Sequence, residues 1–156
     1  MTAGGTITSL SEEQTALASE VLDQLIPGRD DFPGAGELGV VQHLEGVAAS
    51  DPGLRRLFQD GLGAIESTGR STYSAAFGDL ADDQKVQVLR AVEAESPQAF
   101  AMLVRHAYAG YYSNSRVIEL MGLEARPPQP LGFDLDPFDP STVEHITERG
   151  KIWRDA

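Results

Sequence analysis

Residues 96–115, SPQAFAMLVRHAYAGYYSNS, decide the fold. Ser96-Pro97 opens the stretch as a cap followed by proline at the first helical position, where a missing N–H removes no intrahelical bond. Phe100, Leu103, Val104, Ala107, Tyr108 and Tyr111 then recur every three or four residues, the spacing of one helix face. Ser113-Asn114-Ser115 breaks the pattern. A helix with one apolar stripe must bury it against other elements, so the flanking sequence has to supply them.

Upstream, it supplies helices. Ser11-Glu12-Glu13-Gln14 reads as a capping box with two acids in the positive first turn. Leu17, Val21, Leu22, Leu25 and Ile26 follow on one face until Pro27-Gly28 stops the run. The next residues, RDDFPGAGELG, concentrate Gly, Pro and Asp and form a loop of the length that small domains tend to keep for function. A second helix is expected over Glu37 to Ala49, with Val40, Val41, Leu44 and Val47 inward. Asp51-Pro52 starts a third, with Leu54, Leu57, Phe58, Leu62 and Ile65 buried. Gly61 and Gly63 cost about 1 kcal/mol each against alanine in a helix, which suggests close approach of a neighbour at both. This helix is expected to fray over Ser67 to Thr72. A fourth opens through Phe77-Gly78-Asp79-Leu80 and carries Val86, Val88, Leu89 and Val92.

Downstream, the character changes. A short apolar turn ends at Gly122, and Pro127-Pro128-Gln129-Pro130-Leu131-Gly132-Phe133 is a stiff extended strap. Ser141 is expected to cap a short helix from Thr142 to Arg149, and the chain closes on a tail bearing Ile152-Trp153. No segment shows sustained strand alternation. The fold class is therefore all-α: a compact bundle of about five main helices, a proline-rich extended C-terminal arm and a short terminal helix. The division expected is a flexible arm at 1–9, a helical domain at 10–126, and strap, helix and tail at 127–156.

Composition narrows the function. At 156 residues, with 41% hydrophobic and 23% charged residues, the chain supports one domain with a real core. Zero cysteines exclude disulfides, thiolate nucleophiles and zinc–thiolate sites. The net charge of −12, from 24 acids against 12 bases, repels phosphate backbones and anionic lipid. No apolar run approaches the ~20 residues a membrane helix needs. The first residues show no basic or apolar export signal, so the expected compartment is the cytoplasm, or the periplasm if the chain is exported together with a partner.

No phosphate-binding loop, nucleophile elbow or His-Glu-x-x-His helix is present. His43 and His106 lie on the second and fifth helices and could meet, either as hydrogen-bonded boundary histidines or as the start of a metal site. No Glu-x-x-His pair accompanies them. The candidates for partner contact are Tyr108, Tyr111, Tyr112 and Asn114 at the end of the fifth helix, Pro127, Pro128, Pro130 and Phe133 in the strap, and Ile152 and Trp153 in the tail. Tyrosine and tryptophan anchor interfaces because a large apolar ring is joined to a polar handle. The commoner role of such tyrosines is the aromatic edge of the core, and the two readings are not exclusive.

With these residues in place the chain resembles the gluconate 2-dehydrogenase subunit 3 family. The likeness rests on Leu22-Asp23-Gln24-Leu25-Ile26-Pro27, Gly34-Ala35-Gly36 leading to Gly39-Val40-Val41, Phe77-Gly78-Asp79-Leu80 before Asp83-Gln84, and Gly110-Tyr111-Tyr112-Ser113. The resemblance implies a non-catalytic accessory subunit without a cofactor of its own. Its partner would be a large FAD-dependent dehydrogenase of the glucose–methanol–choline type that oxidises a sugar, sugar acid or polyol, with a cytochrome c-type electron acceptor in the complex. The alternatives are a stand-alone metal-dependent enzyme using His43 and His106, or a self-associating helical structural protein.

Overall fold

The computed structural model describes residues 10–124 together with 139 and 141. The chain divides into two units, Met1–Ala125 and Arg126–Ala156. In the first, six α-helices follow in order: α1 Glu12–Leu25, α2 Val41–Ser50, α3 Pro52–Tyr73, α4 Asp82–Glu95, α5 Pro97–Tyr112 and α6 Ser115–Leu120, with a 3-10 turn at Phe77–Asp79 before α4. The all-α class is as expected from the sequence, and five of the six are the long helices anticipated. None among the described residues is long and apolar enough to cross a membrane. The expected arm at 1–9, strap, terminal helix and tail lie outside the described residues, and with them Pro127, Pro128, Pro130, Phe133, Ile152 and Trp153.

α3 is the central element, packed on α5, α2, α4 and α1. Its inward face carries Phe58, Leu62 and Ile65, all fully buried, against Leu22 of α1, Leu44 of α2, Val88 and Val92 of α4, and Leu103 and Ala107 of α5 in one apolar cluster. Burying a side chain of this size contributes about 1.5–3 kcal/mol, so the cluster dominates what holds the helices together.

The local signals at helix starts are realised at α1 and α3. Gln14 N–H donates to Ser11 Oγ at 3.1 Å while Ser11 N–H donates to Gln14 Oε1 at 3.0 Å. Asp51 Oδ1 accepts from Gly53 N–H at 2.7 Å and Leu54 N–H at 3.0 Å. Ser96 departs from expectation: its side chain caps nothing. It is shared between two helices, giving its own N–H to Val92 O at 2.8 Å and its carbonyl to Phe100 N–H at 3.0 Å.

Three further boundaries differ. α2 begins at Val41 rather than Glu37 because Gly39 takes a left-handed φ of 79°, which no helix continues. α3 does not fray over Ser67 to Thr72 but runs to Tyr73 and ends at Ser74 with φ 56°. Tertiary support overrides propensity there: Glu66 pairs with Arg70 at 2.7 Å and also accepts the N–H of Phe77 at 3.1 Å. Gly69 is buried beside Leu80 and the Ala75–Phe77 backbone. Finally, Phe77-Gly78-Asp79 is a separate 3-10 turn that buries Phe77, so α4 starts only at Asp82, where Ala81 N–H donates to Gln84 Oε1 at 3.0 Å.

Candidate functional site: a tyrosine face, a clamped loop and a histidine pair

The C-terminal turn of α5 divides its three tyrosines. Tyr111 is buried, and its hydroxyl donates to the Pro33 carbonyl at 2.8 Å. Burial and Tyr112 nearby raise its pKa above the ordinary phenol value. Tyr111, a partner-contact candidate in the sequence, thus belongs to the core, the other reading given there for the tyrosines, and ties the loop. Tyr108 and Tyr112, one helical turn apart, are 45% and 51% exposed and lie with rings nearly parallel at 6.0 Å between centroids. Tyr108 therefore lies outside the apolar stripe in which the sequence placed it.

Asn114, a partner-contact candidate in the sequence, has a structural role here. Its Oδ1 accepts from Arg116 N–H at 3.0 Å and caps α6, a short helix missed in the sequence because Ser113-Asn114-Ser115 reads as a break. α6 buries Val117 fully and leaves Leu120, with Met121 and Leu123 after it, 37%, 48% and 57% exposed. The signal for these was the apolar turn before Gly122, and its outward side could not be read from so short a run.

The Gly/Pro-rich loop is ordered by α1 and α5 together. Asp23 Oδ1 on α1 accepts the N–H groups of Gly36 at 2.8 Å and Glu37 at 3.2 Å. A Cβ at Gly34 would strike the Asp23 carboxylate, and one at Gly36 the Ser19 carbonyl. Ala35 N–H donates to Ile26 O at 3.0 Å, closing the loop onto the end of α1. Leu-Asp-x-Leu-Ile-Pro and Gly-Ala-Gly are thus two halves of one device, a carboxylate and the side-chain-free backbone it holds. Asp23 as its centre was missed by motif reading, since an acid inside an apolar helix pattern reads as solvated.

His43 and His106 do come together, with Nε2 of the first 3.5 Å from Nδ1 of the second. His106 also packs edge-on against Phe58, 5.5 Å between centroids. Among the described residues, no group of three or more His, Cys, Asp or Glu is gathered as a metal would require. A groove of about 660 Å³ lies between α1 and α3, walled by Leu17, Leu62, Glu13, Glu20, Glu66 and Arg70. Its arginine is already paired with Glu66, and no nucleophile–base pair lines it.

Fold and site together define a small helical protein whose conspicuous features are a clamped loop and an exposed aromatic face. The family profile described as Gluconate 2-dehydrogenase subunit 3 matches residues 12–120, well over half of the chain. This chain belongs to that family, whose name denotes a subunit of a dehydrogenase complex. No curated protein and no solved structure matches it.

Proposed function

We propose that this chain is a non-catalytic accessory subunit that binds and stabilises a large FAD-dependent dehydrogenase of the glucose–methanol–choline type, acting on a sugar, sugar acid or polyol. FAD belongs to the partner, a cytochrome c-type protein accepts the electrons, and the chain works in its partner's compartment, the cytoplasm in the sequence reading. Family membership supports the subunit role. The observation that carries the contact surface is the pair Tyr108 and Tyr112, half exposed and stacked, followed within a few residues by exposed Leu120, Met121 and Leu123. Aromatic rings held side by side in water are the kind of anchor that a partner's pocket desolvates.

The face is tested by the double substitution Tyr108→Ala/Tyr112→Ala. Both side chains are exposed, so the helical circular dichroism should be unchanged while affinity for the flavoprotein falls about tenfold or more. Undiminished affinity in the folded double variant would place the contact elsewhere.

A further inference from the structure

His43 and His106 stand where α5 packs closely against the start of α2. Gly110 of α5 has no room for a side chain: a Cβ there would lie 2.7 Å from Val40 Cγ1 and 3.0 Å from His43 Cβ. The rings are 5.7 Å apart between centroids, both half-buried, and Phe58 of α3 flanks His106. At a nitrogen separation of 3.5 Å the pair accommodates a single bridging proton, whereas two protons set like charges against each other in a partly desolvated space.

His43 faces His106 from α2, and from α5 Arg105 adds charge of the same sign. α3 presents the ring of Phe58, while its Arg55 is turned to the carbonyls of Ala48 and Ala49. Glu45 of α2 accepts a hydrogen bond from Thr15 of α1.

We propose that the His43–His106 pair is a proton-operated joint: with at most one proton it lets α2 close on α5, and with two it forces them apart. Opening there also loosens the loop before α2, which Tyr111, the next residue after Gly110, holds through Pro33. The inference is independent of the subunit reading.

Its direction follows from linkage. Burial lowers the His106 pKa below the ordinary histidine value, with His43 and Arg105 lowering it further. The unfolded chain therefore binds this proton at higher pH than the folded one. Stability is full above the ordinary value of about 6.5 and falls as pH drops from there toward the lowered folded value. The rest of the molecule has the opposite tendency, because acidification reduces a net charge of −12 and its self-repulsion.

Thermal unfolding of the full chain at about pH 7.5 and about pH 5.5, spanning the histidine range, reads the joint directly. Against that opposite background, the midpoint of the wild type should change on acidification by about 3 °C less favourably than those of His106→Gln and His43→Gln. NMR titration of the His43 and His106 imidazoles should show two separated steps. The same midpoint change on acidification in both variants as in the wild type, or two independent titrations at the ordinary histidine value, would overturn the proposal. The titration decides it alone if the variants do not fold.

Discussion

Gly61 and Gly63 stand two residues apart on α3 in opposite surroundings. A Cβ at Gly61 would lie 2.8 Å from Leu103 Cδ1, whereas at Gly63 it would meet nothing within 4 Å. Close helix approach therefore explains Gly61 and does not explain Gly63. Gly61→Ala recovers helix propensity but overpacks against α5 at a cost of about 1–3 kcal/mol, so its net effect on stability should be neutral to destabilising. Gly63→Ala should raise it by about 0.5–1 kcal/mol, the helix propensity recovered at an open position. Guanidinium unfolding midpoints of the two variants measure both, and equal shifts would contradict the packing described. Tyr111→Phe, which keeps the ring and removes the hydroxyl bond to Pro33, should cost about 1 kcal/mol in the same assay. Much of this was legible only in part: glycine announces itself in a helix pattern, but which neighbour it admits depends on a helix some forty residues away.

The loop between α1 and α2 is the element in which local sequence and tertiary contact matter equally. Its glycines and prolines announce a turn-rich segment, and Gly39 sets where α2 can start. What holds the loop is long-range: Asp23 from α1 and Tyr111 from α5, the latter 78 residues from its acceptor. Asp23→Ala removes the acceptor for two N–H groups and should cost about 1–3 kcal/mol. It should also increase hydrogen exchange over residues 28–40 ahead of the helices, and unchanged protection there would refute the clamp. The existence of the five long helices was readable from periodicity. The extension of α3 to Tyr73 was not, because it rests on Glu66 receiving Phe77 N–H from beyond the helix end. The short α6 escaped because its cap resembles a break.

At the scale of the molecule, the described residues build a core around α3 and present two surfaces with distinct chemistry. The α1–α3 groove carries carboxylates and one paired arginine, while the end of α5 and the residues around α6 expose aromatic and aliphatic side chains. The cluster of tyrosines was visible in the sequence, but its division into one core residue and two exposed ones needed the helix's rotation relative to the loop. The central claim is that the exposed side serves a flavin dehydrogenase, and native capture of the tagged full-length chain from its own host, with an absorbance spectrum of the eluate, tests it most directly. The account predicts a co-purifying large protein with flavin bands that bleach when its sugar or polyol substrate is added. A colourless eluate containing this chain alone would contradict it.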